Sequence, residues 1–98
     1  MEINEKLTRT LRGRTIELVS KEEGLVVIVF DDRSKIRVKV AGGLTENMLG
    51  EGRIESAAEE GAELILLGED GRIAILRLAE PGSSVTVLDK KDRIEYEG

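Results

Sequence analysis

Four pairs of adjacent carboxylates, Glu22-Glu23, Asp31-Asp32, Glu59-Glu60 and Glu69-Asp70, are the residues whose type and spacing come nearest to chemistry. Two carboxylates held close can share the work of a general acid and a general base, and oxygen-rich runs can hold calcium. Each pair falls where a hairpin tip is expected. None continues into the alternating ligands and closing bidentate acid that a calcium loop needs. The chain has no His and no Cys, which removes the commonest general base, the thiol nucleophile and most transition-metal ligand sets. The glycines of GGLTENMLGEG, residues 42–52, lack the GK[ST] ending and the strand-to-helix context of a phosphate loop. We therefore expect no enzymatic activity, no catalytic residue, no metal and no cofactor.

Basic residues form the other candidate. Lys35, Arg37 and Lys39 alternate along one strand and share a face. With Arg12 and Arg14 brought near, they could track phosphates, as strand faces of small β-barrels do. Such faces also stack bases on aromatic side chains, and Phe30 and Tyr96 are the only aromatics here. A net charge of −5 opposes generic nucleic-acid binding. The expectation is a charged surface that is solvated or matched to the acidic half of the chain.

The elements that must position these groups are mostly strands. Residues 35–40 alternate strictly, with Ile36, Val38 and Val40 on the face opposite the cations. Residues 25–30 are apolar without a break, too short for an independent helix and rich in β-branched residues, so they predict a strand covered on both faces. Residues 63–67 and 72–78 predict a second such hairpin, with Asp70-Gly71 suited to a type I′ turn. Arg33-Ser34 at the corresponding place predicts a different turn. Strands at residues 14–20 and 53–58 precede the two hairpins, each followed by Glu-Glu-Gly. Glu80-Pro81-Gly82-Ser83 fits a type II turn, and a last hairpin joins residues 84–88 to 93–97. Ile3, Leu7 and Leu11 suit a short amphipathic helix within residues 2–11, and Thr45 to Leu49 resembles one helical turn with Thr45 as its cap.

The middle of the chain repeats. Residues 22–40 align without a gap to residues 59–77, an offset of 37, with Glu22/Glu59, Glu23/Glu60, Gly24/Gly61, Ile28/Ile65 and Ile36/Ile73 identical. Two copies of one three-stranded meander follow. They should superpose Ile28 on Ile65 and Ile36 on Ile73, with all four buried. Strands apolar on both faces also leave a surplus in so short a chain, and exposed apolar patches mark interfaces. The candidate interface is Leu25, Val27, Val29, Leu64, Leu66, Ala74 and Leu76, and a homo-oligomer is expected.

Composition sets the frame. Ninety-eight residues make one domain. Charged residues reach 36 % while Gln is absent and Asn occurs twice, the pattern of thermostable proteins. Residues 1–40 carry nine Lys/Arg against seven Asp/Glu, and residues 41–98 six against thirteen, so the second half is the acidic one. The absence of Cys, of a long apolar run and of a signal-like start predicts a cytoplasmic protein away from membranes.

The pattern L-x-G-R-x-I followed by V-F-D-D, residues 11–32, and the ending SVTVLDKKDRIEYEG resemble short all-β proteins of unknown function. Those carry a repeated "GR-I … F-D-G" meander and a terminal "D-K … Y-G" hairpin. The resemblance covers most of the chain, departs from the pattern at Arg33-Ser34, and implies neither an activity nor a site residue. The reading is thus an all-β single domain spanning residues 1–98, a small barrel or compact sandwich of about eight antiparallel strands. It comprises pseudo-repeat 1 at about 13–41, a linker at 42–51, pseudo-repeat 2 at about 52–79 and a C-terminal hairpin at 84–97, with a possible short N-terminal helix. Its expected role is a non-enzymatic interaction or assembly module whose partner is itself or another protein. A small-ligand barrel with its mouth near residues 42–52 and a nucleic-acid binder through Lys35, Arg37 and Lys39 are the alternatives.

Overall fold

The computed structural model describes residues 1–42 and 47–98. Its elements in chain order are β1 (Glu2–Ile3), α1 (Glu5–Leu11), β2 (Ile16–Glu22), β3 (Leu25–Phe30), β4 (Lys35–Lys39), β5 (Met48–Leu49), β6 (Ser56–Glu60), β7 (Glu63–Gly68), β8 (Gly71–Arg77), β9 (Val85–Leu88) and β10 (Ile94–Glu97). The first repeat, β2-β3-β4, extends through the terminal hairpin into a sheet of order β10-β9-β4-β3-β2. The second, β6-β7-β8, gains the two-residue strands β1 and β5 at its edges, giving β1-β6-β7-β8-β5. All pairings are antiparallel. The architecture is therefore a two-sheet sandwich, and the barrel alternative is set aside.

The two three-stranded meanders, β2-β3-β4 and β6-β7-β8, meet through reciprocal backbone pairs. Thr15 bridges Arg53 and Val40 bridges Leu78, each residue pairing with the one 38 positions on. The surrounding amides reciprocate: Ile16 donates to Gly52 and Ile54 to Arg14, Ala41 donates to Arg77 and Ala79 to Lys39. Reciprocal contacts of this kind are isologous. The structural offset is thus 38, one more than the sequence alignment, and the difference inverts a face because side chains alternate along a strand. Val26, Ile28, Ile36 and Val38 enter the core opposite Leu64, Leu66, Ala74 and Leu76. Ile65, though buried, lies outside that core cluster, and Ile73 is only half-buried. The expected superposition of Ile28 on Ile65 and Ile36 on Ile73 is corrected accordingly.

The slip has a physical origin in the turns. In β2-β3 the two-residue turn is Glu23-Gly24 and Gly24 takes φ +75°, whereas in β6-β7 it is Gly61-Ala62 and Gly61 takes φ +59°. The glycine that absorbs the positive φ has moved from the second turn position to the first. Aligning Gly24 with Gly61 drags both strands out of register. The β7-β8 turn also differs from expectation: Gly68 pairs with Gly71, so Glu69-Asp70 are its central residues and neither has a positive φ. Gly71 takes φ +121° at the start of β8, and a β-bulge follows between Arg72 and Ala74. Arg33 at φ +72° sets the first repeat's longer turn apart. Glu80 to Ser83 forms the type II turn, with Gly82 at φ +96° and the Ser83 amide donating to Glu80.

The N-terminal segment closes one edge of the sandwich. Asn4 caps α1 by accepting from the Leu7 amide, its own amide donates to the Ala57 carbonyl, and its side-chain Nδ2 donates to the Tyr96 hydroxyl at 3.0 Å. Leu7 and Leu11 are fully buried. The buried Thr8 hydroxyl donates to the Ala57 carbonyl at 3.1 Å and accepts from the Ala57 amide at 2.9 Å, satisfying the outer side of β6. Ile3, expected on the helix, lies on β1 and is exposed. Met48 and Leu49, expected in a helical turn, are a strand on the edge of β8, while Thr45 lies outside the described residues. Among the described residues no helix is long and apolar enough to cross a membrane.

Thr8→Val keeps the shape of the Thr8 side chain but leaves the buried Ala57 amide without its acceptor. The expected loss is about 2 kcal/mol. Thr10→Val, whose hydroxyl bonds the Lys6 carbonyl at the surface, should stay within about 0.5 kcal/mol of the parent. Denaturant midpoints of the two variants check the contrast.

Candidate functional surface

The outer face of the first-repeat sheet collects the residues that face away from the core. Antiparallel register lines up Leu18, Val29, Lys35, Leu88 and Ile94 in one row across the five strands. The next row is Ser20, Val27, Arg37, Thr86 and Glu97, and the third is Glu22, Leu25 and Lys39. The unbroken apolar run of β3 explains this: Val26, Ile28 and Phe30 supply the core, so Leu25, Val27 and Val29 must stand outside it. Leu18 and Ile94, at the two ends of the first row, are 63 % and 62 % exposed. Beside Ile94 a shallow trough of about 610 Å³ is lined by Leu25, Val27, Thr86 and Leu88, with Arg37 and the ion-paired Lys35 and Asp92 as its charged groups.

Three of the seven expected interface residues are here and four are not. Leu25, Val27 and Val29 are half-buried on this outer face. Leu64, Leu66, Ala74 and Leu76 are fully buried between the sheets, the direct consequence of the one-residue slip, so they cannot meet a partner. Sequence reasoning missed Leu18, Leu88 and Ile94. The signal for Leu18 was the adjacent pair Leu18-Val19, which breaks alternation beside the bulge between Ile16 and Leu18; only Val19 packs toward the core.

The cations divide by partner. Lys35 pairs with Asp92 at 2.9 Å. Arg14, expected to extend the basic stripe, is turned away from it: Nη1 and Nη2 grip the Glu95 carboxylate at 3.0 Å each, and Nη1 also donates to the Ser34 hydroxyl. This bidentate pair ties the start of β2 to the last hairpin. Arg12 donates to the Glu55 carbonyl. Arg37 and Lys39 stand exposed beside the trough and form no ion pair among the described residues.

The carboxylate pairs serve turns. Asp32 accepts from the Ser34 amide and hydroxyl and lies 3.8 Å from Arg14 Nε. Partial burial raises its pKa, but the Ser34 hydrogen bonds and the Arg14 charge outweigh that and hold the carboxyl below its ordinary 3.8. Asp89 likewise falls below 3.8, chiefly through the Arg93 amide, against slight desolvation, with help from the Lys91 amide and the Arg93 guanidinium. At the acidic end of the second repeat, Glu51, Glu55, Glu69 and Asp70 surround a cleft of about 330 Å³ with Arg53 among them.

A second concavity lies between β2 and β5, the free edge of one sheet and the short edge strand of the other. It is an open groove of about 840 Å³ whose apolar lining is Ile16, Leu18, Val19 and Leu49 and whose charged lining is Glu17, Lys21 and Glu51. It stands where a barrel mouth near residues 42–52 was expected, but between two sheet edges rather than inside a closed wall.

The Asp32 carboxyl has a folded-state pKa below its unfolded value, so the stability it contributes is present above about pH 4 and is lost as pH falls through the folded value. Asp32→Asn should flatten the fall in denaturant midpoint between about pH 4 and pH 2 relative to the parent.

Comparisons of the chain with protein-family models, with curated proteins and with solved structures found no match.

Proposed function

We propose that this chain is a non-enzymatic protein-interaction and assembly module that associates with further copies of itself. The observation that carries the reading is the row from Leu18 to Ile94, two large apolar side chains more than 60 % exposed at the ends of a half-buried apolar face. Beside it Arg37 and Lys39 form no ion pair among the described residues. An apolar trough rimmed by unpaired cations suits an acidic protein surface better than it suits solvent.

Charge argues about geometry as well. The cationic strand β4 is the middle strand of its sheet, so packing two such faces with their β4 strands in contact would set like charges together. The acidic end of the second repeat, around Glu51, Glu55, Glu69 and Asp70, offers the opposite sign. The contact we propose is head-to-tail, the first-repeat sheet of one copy on the second repeat of the next, a heterologous arrangement that grows with concentration.

Static light scattering between micromolar and millimolar concentration tests this. Apparent mass should rise with concentration and fall with added salt. Leu18→Glu with Ile94→Glu, and separately Arg37→Glu with Lys39→Glu, should each return the chain to a monomer without moving its denaturant midpoint by more than about 1 kcal/mol. A parent chain that stays monomeric at high micromolar concentration overturns the proposal. A salt-sensitive affinity for DNA or RNA that the charge-reversed variant loses would move the function to nucleic acid.

A further inference from the structure

The reciprocal backbone pairs make the two meanders comparable position by position, and one site on them is filled only once. The outer edge of β6 is covered by β1 and α1: Asn4 and Thr8 bond the backbone of Ala57, and Leu7 and Leu11 fill the space toward β10. The equivalent of β6 is β2, and the residue 38 positions before Ala57 is Val19. Among the described residues strand β2 ends its sheet with no neighbour, and the space beside Val19 is the 840 Å³ groove. Its lining is correspondingly less covered. Ile16 and Val19 are half-buried where their equivalents Ile54 and Ala57 are fully buried.

We infer that the β2 groove is a docking site for a segment of a partner protein built like this chain's own residues 2–11: an acidic residue in an extended pair, then about two turns of amphipathic helix with Leu at positions i and i+4. Three features favour that occupant. The groove is the symmetry equivalent of a site that such a segment already fills in this molecule. The bulge between Ile16 and Leu18, and Lys21 facing the groove, disfavour addition of a long flat strand while leaving room for a short extended pair followed by a helix. At the strand-pairing position the charges also match, with Glu17 and Glu51 as the groove's acidic groups. Glu2 sits opposite Glu59 in β6, a like-charge pair, whereas the equivalent of Glu59 in β2 is Lys21, so the same segment docked there sets a carboxylate opposite an ammonium. This inference goes beyond self-association and is read by a different measurement.

The probe is a fluorescein-labelled peptide of residues 1–12, titrated with the intact chain and followed by anisotropy. A helix this short orders only on binding, so half-saturation is expected on the order of 100 μM. Amide shifts in a ¹⁵N spectrum should cluster at residues 15–21 and 49–52. A peptide carrying Leu7→Asp and Leu11→Asp should lose at least about tenfold in affinity, and a Glu2→Lys peptide about threefold. Val19→Arg in the intact chain should abolish binding, with some loss in denaturant midpoint because Val19 packs toward the core. If Val19→Arg fails to fold, the peptide variants carry the test unaided. No saturation at about 1 mM, indifference to Leu7→Asp and Leu11→Asp, or shifts at Ala57 and Tyr96 that report displacement of the chain's own segment would each overturn the inference.

Discussion

The structure depends on the few backbone hydrogen bonds through which the two meanders exchange partners. Thr15 with Arg53 at one corner and Val40 with Leu78 at the other fix how the sheets face each other. These bonds are independent of side-chain identity, so the repeats can diverge in sequence and keep their geometry. Further in, the same symmetry recurs: the Val40 amide donates to Gly24 and the Leu78 amide to Ala62, closing each meander on its own first turn. Every inward side chain follows, because once the corners are pinned the alternation along each strand decides which residues meet in the core.

What is added outside the repeats breaks the symmetry and makes the surfaces differ. The second repeat gains β1, α1 and β5, so both edges of its sheet are covered. The first gains the terminal hairpin on β4 and, among the described residues, nothing on β2. Arg14 stands where these additions converge, its guanidinium 15 % exposed and bonded to Glu95 and Ser34. It joins the first strand, the first repeat's turn and the last hairpin, and a partly desolvated bidentate pair of this kind fixes orientation more than an exposed ion pair does. The same grip takes Arg14 out of the basic stripe, leaving Arg37 and Lys39 as its unpaired members.

The proposed interaction surfaces follow from that imbalance. A chain of this size has enough apolar side chains for a two-sheet core built almost entirely from Val, Ile, Leu and Ala, and the remainder stands outside. On β3 it stands beside cations, and on β2 beside an unpaired backbone edge. Neither place carries the convergent nucleophile, base and anion-stabilising groups by which an active site is recognised.

Much of the architecture was legible in the chain. Strict alternation at residues 35–40 marked a half-buried strand, Pro81-Gly82 a type II turn, and the recurrence of an apolar hairpin two meanders. These are local facts, governed by side-chain period and by the φ each turn demands. The helix was half legible: Leu7 and Leu11 share a face, but Ile3 belongs to a strand, because Asn4 is a better cap than any residue before it. The inward face of β7 was not legible at all. Residues 64–67 are apolar at every position, so periodicity has no polar side to point outward, and identity of the turn glycines favoured the wrong register by one. Only the tertiary structure decided it, because the corner bonds join residues 38 apart and a strand can satisfy them in one register. The same bonds decided between sandwich and barrel and left β2 open while β6 was covered. Each of these depends on contacts between residues far apart in sequence, and no local pattern encodes them.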